Sequence, residues 1–379
     1  MIDNILRRTA WTLLTLLLAA SVAADSHHPR LSESLVISLD VSAIERDAKS
    51  STPFELAFGE TRLNVVLAPA PVWPKEGLTV YETQRDGKMT TRVVQGDFTY
   101  AGDVVGEDPK KSEARFSIVR GVLEGYVLSN TGWWFFEPFS RFDPKASVDQ
   151  YLVYAAHHFT GAVDLGDDVS PGEVFDPTRF DTRIPLLMVA DLEYMLENGG
   201  VQGIEFFEAQ RTLINNVNGI VFDQLGVDFI VRRALADAGG IFLTSTDAFS
   251  LLLQLEDRVE QNGGLEDRFE SHLAHLTTAK ELDRGVRMLG WEPGYYGLSR
   301  QQEQHFRFLA FENVVVAAHI LGHNFNGVHH EADQHDIMWP DLGLIDTPKF
   351  SDGTIDPNHN NKRRVCTNMN SRGFSFACQ

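Results

Sequence analysis

The sequence has few cysteines, no excess of basic residues and no long apolar run. Its 379 residues contain 33 Lys and Arg against 53 Asp and Glu, for a net charge of −20. A surface of this sign repels nucleic acid and anionic membranes, so we expect neither as a partner. The apolar run from Trp11 to Leu18 is too short to span a bilayer, and no second run follows. We therefore do not expect an integral membrane protein.

The two cysteines of the chain, Cys366 and Cys378, both lie near the C-terminus. A disulfide between them would hold the tail of an exported protein, because no other pairing exists within the chain. The alternative is two free thiols. No cysteine lies near the N-terminal apolar run, so we expect no lipid anchor there.

The first 23 residues have the features of a secretory signal peptide. Arg7 and Arg8 precede the apolar run, and the small residues Ser21-Val22-Ala23 after it form a cleavage site. Cleavage near Ala23 predicts a mature protein that is exported to the periplasm or the extracellular space.

The rest of the chain divides into two parts with a linker between them. Residues 30–160 contain short β-rich runs separated by Gly, Asp and Asn, which predict an antiparallel β domain. Residues 161–180 are acidic and contain Gly and Pro, which indicates a linker. Residues 181–379 alternate strand-like runs with helical periodicity, which predicts an α/β layer fold. The expected strands are 63–67, 114–119, 122–127, 133–136, 184–190, 227–231 and 272–278, and the expected helices are 204–225, 248–261 and 308–325.

The most informative stretch runs from His319 to Pro340 and reads HILGHNFNGVHHEADQHDIMWP. His319 and His323 stand four residues apart, so on a helix they share one face and can bind one metal ion. A third histidine follows the end of that helix, at His329 or His330. Three imidazoles are a set that holds catalytic zinc with its fourth position open, so zinc is the expected cofactor.

This stretch resembles the zinc motif of the metzincin endopeptidases, specifically the adamalysin (reprolysin) branch. That branch reads H-E-x-G-H-N-F/L-G-x-x-H-D and continues into a methionine turn, which Ile337-Met338-Trp339-Pro340 resembles. The resemblance implies a metzincin-like zinc-peptidase domain at 181–379, with Met338 beneath the metal and a peptide or protein as partner. It also implies that 30–160 is a β-rich propeptide-like domain. The matched positions of the motif are His319, Gly322, His323, Asn324, Phe325 and the third histidine; weaker likenesses lie at 121–138, 188–191 and 215–218.

The chain departs from this branch at the general base. Ile320 stands where the family has the glutamate that takes a proton from the attacking water. Isoleucine has no lone pair, and a general base contributes about 10² to 10⁴ in rate, so we expect weak or no peptide hydrolysis. Residues 30–160 also lack cysteine, so the thiolate-to-zinc latch of many family propeptides cannot form.

The turn before the third histidine has two alignments. Either Asn326 takes the turn and His329 is the ligand, or Gly327 takes it and His330 is the ligand, with Glu331 where the family has Asp. Both turn residues tolerate the left-handed region, glycine freely and asparagine next best. His329 is favoured because its spacing from the second histidine is that of the family.

The sequence thus predicts an exported, zinc-binding, adamalysin-like protein that has lost most or all peptidase activity and binds a peptide or protein in the cleft. One alternative is an active zinc endopeptidase that uses zinc hydroxide or another base. A second alternative is an exported structural or adhesive protein without a metal.

Overall fold

The computed structural model describes most of the chain from His28 to Arg372. The predicted signal peptide lies outside the described residues, as do His330, Glu331, Pro340 and Cys378. The described ranges are 28–95, 99–109, 111–160, 168–171, 183–201, 203–219, 225–303, 306–307, 309–329, 336–339, 349–356 and 360–372.

The described residues form more strand than helix. The strands are β1 (Leu35–Ser38), β2 (Phe54–Phe58), β3 (Thr61–Pro69), β4 (Leu78–Thr83), β5 (Met89–Val94), β6 (Thr99–Val104), β7 (Glu113–Val119), β8 (Val122–Ser129), β9 (Gly132–Pro138), β10 (Gln150–Ala155), β11 (Asp168–Pro171), β12 (Arg183–Ala190), β13 (Asp228–Ala236), β14 (Leu273–Thr278), β15 (Met288–Glu292), β16 (Tyr296–Arg300), β17 (Gln302–Glu303) and β18 (Phe306–Arg307). The helices are α1 (Val41–Lys49), α2 (Leu192–Glu197), α3 (Glu205–Val217), α4 (Ala248–Gln261), α5 (Ala310–Asn324) and α6 (Asn361–Ser371).

The first half forms the predicted antiparallel sheet, with eight strands in the order β1-β10-β9-β8-β7-β6-β3-β2. Because side chains alternate along a strand, the sheet contributes to a core on each face. On β9, Phe136 packs into the core that includes residues of α1, and its neighbour Phe135 packs into the core that includes α3 and α5. Both aromatic side chains are fully buried. This sheet is therefore covered on both sides by helix.

The second sheet is mixed, with eight strands in the order β11-β15-β16-β14-β12-β13-β4-β5. Its central strands run parallel, and β15 is antiparallel to β16. Strand β12 is buried along nearly its whole length, with Leu186 and Met188 in the core beside α3 and α5, and Leu187 and Val189 in the core beside α4. A continuous apolar run buried on both faces is typical of parallel strands covered by helices.

The hairpin β4–β5 belongs to the first half of the chain but to the second sheet. Strand β4 pairs in parallel with β13, with Thr79 opposite Arg233 and Glu82 opposite Ala236, and β5 forms the outer edge. The predicted range 30–160 therefore does not correspond to one sheet. The sequence did not indicate that this hairpin joins the second sheet, because the alternation of side chains within a hairpin does not specify its neighbouring strand.

Several elements differ in extent from the prediction. Helix α3 is shorter than the expected 204–225, and residues 220–224 lie outside the described residues. The predicted linker contains a short strand, β11, which pairs in parallel with β15. Cys366 is disulfide-bonded, while its predicted partner Cys378 lies outside the described residues. Among the described helices, none has the length and apolar character needed to cross a membrane.

Candidate metal centre

Helix α5 carries the first two histidines of the motif. The helix is almost entirely buried, and it packs between the two sheets. His319 and His323 lie one turn apart on it, and their Nε2 atoms are 2.9 Å apart. The four-residue spacing therefore places both imidazoles at one point, as the sequence predicts.

The helix ends in a turn that both Asn326 and Gly327 make possible. Asn326 adopts the left-handed region, with a φ of 70°. The N–H of Gly327 then donates to the carbonyl oxygen of Gly322 at 2.9 Å. A Cβ at Gly327 would lie 2.9 Å from that oxygen and 3.1 Å from the sulfur of Met338, so only glycine fits there. Asn326 thus provides the left-handed backbone conformation, and Gly327 leaves room for the close approach to Gly322 and Met338.

This turn brings the third histidine back to the first two. The Nε2 of His329 lies 3.3 Å from the Nε2 of His319, and the ring centroids of His323 and His329 are 5.0 Å apart. The three ligand atoms all lie within 4.8 Å of one another, a cluster that can hold a metal ion. The alternative ligand, His330, lies outside the described residues.

Backbone carbonyls fix the orientation of two of these rings. The Nδ1 of His319 lies 2.7 Å from the carbonyl oxygen of Ile337, and the Nδ1 of His323 lies 2.8 Å from that of Gly327. Because a carbonyl oxygen only accepts, each Nδ1 carries a hydrogen, and in the neutral form of such a ring the lone pair of Nε2 faces the cluster. The carboxylate of Glu292 adds a negative charge 3.5 Å from the Nδ1 of His323.

The separations suit a tetrahedral ion. Zinc–nitrogen bonds of about 2.0–2.1 Å in tetrahedral geometry place two ligand nitrogens about 3.3 Å apart. The Nε2 of His319 lies 2.9 Å from that of His323 and 3.3 Å from that of His329. Two Nε2 lone pairs that face each other over such distances repel unless a proton or a metal cation lies between them. The arrangement therefore fits a divalent metal, and imidazole donors suit zinc, copper, iron and nickel.

Met338 lies beneath the helix at the position where a methionine turn is predicted. A Cβ at Gly322 would come within 2.6 Å of its sulfur, so the absent side chain lets the methionine pack directly against the helix. The turn is held by Asp336, whose side chain accepts from the N–H of Met338 at 3.0 Å and whose carbonyl accepts from Trp339 at 2.9 Å.

Asn361, the first residue of α6, connects the third histidine to this turn. Its Oδ1 accepts from the N–H of Val328 at 3.0 Å, and its Nδ2 donates to the carbonyl of Val328 at 2.8 Å and to Asp336 at 2.6 Å. The side chain is buried. Sequence analysis missed this residue, because an asparagine 32 positions after His329 gives no local signal.

Ile320 is a packing residue in this structure. It is fully buried, and it faces Gly290 and Gly297, which are cross-strand partners on β15 and β16. A Cβ at Gly290 would lie 3.3 Å from the Cγ2 of Ile320, and one at Gly297 would collide with that atom. The paired glycines form a recess that the isoleucine fills, so hydrocarbon occupies the position next to the first histidine.

Glu312 and Glu292, two carboxylates near the histidines, make contacts that do not involve the Nε2 atoms. Glu312 lies at the start of α5, where it accepts from the N–H of Leu309 at 3.0 Å and forms an ion pair with Arg30. Burial raises the pKa of Glu312, and the guanidinium of Arg30 opposes that shift. Glu292 contacts the nitrogen of His323 that does not face the cluster. Neither contact places a base at the converging Nε2 atoms.

Comparisons with known proteins leave the family of this chain open. No protein-family model matches the sequence, and no curated protein matches it. Among solved structures, the chain is similar to metalloproteinase-II from Bacteroides fragilis, with 9% identity over 86% of this chain and 94% of that chain, and a TM-score of 0.44. A likeness at this score establishes neither family nor activity. The resemblance to the adamalysin branch therefore stays a prediction, and the function must be argued from the site.

Proposed function

We propose that this protein binds one zinc ion through His319, His323 and His329. The observation that supports the proposal is the convergence of three Nε2 atoms, with two of the rings held by carbonyl acceptors on Nδ1. An accidental group of buried histidines has no need of this shared orientation. Bound zinc would supply Lewis acidity, which polarises a peptide carbonyl and lowers the pKa of water.

We further propose that peptide hydrolysis is weak or absent. The chain's own contribution to such a reaction would be a general base close to the metal, worth about 10² to 10⁴ in rate. Ile320 offers no proton acceptor, and its side chain fills a glycine recess in the sheet. We therefore assign the site to peptide or protein binding, in an exported protein if the predicted signal peptide functions.

The surface for such a peptide would be β15, which runs from the glycine recess to Glu292 beside His323. Extended peptides commonly bind by adding a strand to a sheet edge. In this fold the outer side of β15 pairs with β11, from Asp168 opposite Leu289 to Pro171 opposite Glu292. A peptide that adds to β15 must therefore displace β11.

Metal analysis combined with a peptidase assay tests the proposal. We expect about one zinc per chain in the purified protein, which is lost in His319→Ala, and no turnover of a broad peptide library at ordinary enzyme rates of about 1–10³ s⁻¹. Rapid turnover that a chelator abolishes would instead establish an active zinc endopeptidase. Protein without zinc, even after incubation with the metal, would favour the structural or adhesive alternative.

The active alternative can be tested at Glu292, although its contact with His323 lies on the side of the ring away from the converging Nε2 atoms. Glu292 is the carboxylate that contacts His323, at 3.5 Å from its Nδ1. If it acted as the base, Glu292→Gln would remove chelator-sensitive turnover while leaving zinc content unchanged. On our proposal the same variant has no turnover to lose.

A further inference from the structure

The two halves of the chain share the second sheet. Strand β4 of the first half completes the backbone pairing of β13, over the register from Thr79 opposite Arg233 to Glu82 opposite Ala236. Without the hairpin, β13 would be an edge strand with unpaired N–H and C=O groups. The sheet that underlies the histidine helix is therefore incomplete without residues from the first 160.

Both faces of β4 are buried against elements of the second half. Leu78 and Val80 lie in the central core together with residues of α3 and α5. Tyr81 points to the opposite face, where its ring packs edge-on against Phe269 with centroids 5.2 Å apart. Removing the hairpin would expose apolar surface on both sides of the sheet.

The first half also caps the helix that carries the histidines. The residue at the N-cap of α5 is Leu309, whose side chain cannot accept a hydrogen bond. Instead, the N–H of Ala310 donates to the Oε1 of Glu137 at 2.8 Å, and the N–H of Phe311 donates to the hydroxyl of Tyr154 at 3.3 Å. The hydroxyl of Tyr154 donates in turn to Glu137 at 2.6 Å.

Two further contacts hold the same helix end. Arg30 forms an ion pair with Glu312 in the first turn of α5. The ring of Phe311 packs edge-on against Phe135 of β9, with centroids 5.4 Å apart, and also contacts Phe159 at 5.8 Å. A carboxylate near a helix N-terminus and buried aromatic packing both stabilise that end of the helix.

We propose that residues 28–160 are a permanent part of the metal-binding unit and not a detachable propeptide, and that Glu137 and Tyr154 are positioning residues for the helix that carries His319 and His323. The association of the halves is independent of the metal. The positioning role rests on the proposed function, because it acts through the first two ligands.

Cleavage between the halves tests the association. A recognition sequence for a specific protease, inserted between Pro171 and Arg183 of the full chain, allows one cut after purification. We expect the two fragments to elute together from a sizing column in native buffer and to separate only in denaturant. Separation in native buffer would overturn the proposal. Because elution does not depend on zinc, this outcome is distinct from a failure of the proposed metal site.

Matched tyrosine variants test the positioning role. Tyr154→Phe removes the acceptor at α5, whereas Tyr151→Phe removes a similar buried hydroxyl on the same strand that accepts from the N–H of Leu123 at 3.1 Å. We expect Tyr154→Phe to speed amide hydrogen exchange in the first turn of α5 by roughly fivefold, the equivalent of one lost cap, and Tyr151→Phe to leave it unchanged. Equal exchange in both variants would refute the role.

A second pair of variants connects this helix end to the metal. Glu137→Leu removes the acceptor of the Ala310 N–H, while Glu137→Gln retains a carbonyl oxygen at the same position. With zinc affinity measured by chelator competition, we expect weaker binding in Glu137→Leu and recovery in Glu137→Gln. Affinity that is unchanged in a folded Glu137→Leu protein would show that the cap does not position the ligands.

Discussion

Ile320→Glu introduces the residue that the adamalysin motif has at this position, yet we expect it to damage the protein without creating a peptidase. The wild-type side chain is fully buried in the recess made by Gly290 and Gly297. Replacing it loses the burial of an isoleucine, about 1.5–3 kcal/mol. The new carboxyl group would face the glycine surface of the sheet.

The loss of folding stability that this carboxyl group causes depends on pH. If burial raises its pKa by about 3 units, from about 4 to about 7, the variant loses about 4 kcal/mol of stability once the pH is above both values. Together with the lost burial, this is a large part of the roughly 5–15 kcal/mol that stabilises a typical domain. The folded state would hold a proton that the unfolded chain releases near pH 4, so the stability of the variant relative to wild type should fall as the pH rises from about 4 to 8.

Urea unfolding at pH 5 and pH 8 measures this effect, with Ile320→Gln as the uncharged control. The glutamine variant should lose stability by a similar amount at both pH values, and the glutamate variant should lose more at pH 8. Peptide hydrolysis should remain undetectable in both. A glutamate variant as stable as wild type that cleaves peptides in the presence of zinc would refute the reasoning, because its carboxylate would then reach the metal instead of the recess.

Four further predictions concern the site and its supports. His329→Ala should lower zinc binding by metal analysis while leaving the fold intact by circular dichroism. Asn361→Ala should weaken zinc affinity in chelator competition. Asn360→Ala, which removes the cap of α6 and a hydrogen bond to the carbonyl oxygen of Asp352, should cost at least about 1 kcal/mol of stability without that effect. Gly297→Ala should destabilise the protein by about 1–3 kcal/mol in urea, because its methyl group overpacks the recess. Burial raises the pKa of Glu137 to about 7, so the folded state keeps a proton at pH values where the unfolded chain has lost it. The free energy of unfolding in urea should therefore fall as the pH rises from about 4 to 7, and it should change less with pH in Glu137→Gln.

The histidine cluster was the most predictable part of the tertiary structure. A four-residue spacing on a helix brings two side chains together whatever surrounds the helix, and a turn of Asn and Gly returns the chain within a few residues. The predicted strands at 114–119, 122–127 and 133–136 also correspond to β7, β8 and β9, because their alternation and turn residues are local signals.

The supports of the site were not predictable in this way. Asn361 contacts Val328 from 33 positions away, and Glu137 contacts Ala310 from 173 positions away. The pairing of β4 with β13 depends on which sheet has a free edge, which a hairpin sequence does not specify. Such contacts join segments that are distant in the chain, and neither segment carries a sequence pattern that indicates its partner.

The sequence by itself determined the chemistry of the candidate centre: three imidazoles within one short stretch, and a branched hydrocarbon in place of the base. Only the tertiary structure decided that this hydrocarbon fills a recess between two glycines and that the first half of the chain caps the histidine helix. The physical reason is the separation along the chain over which each kind of interaction acts. Helical and turn geometry act over a few residues, whereas packing and capping depend on which distant surfaces the whole fold brings into contact.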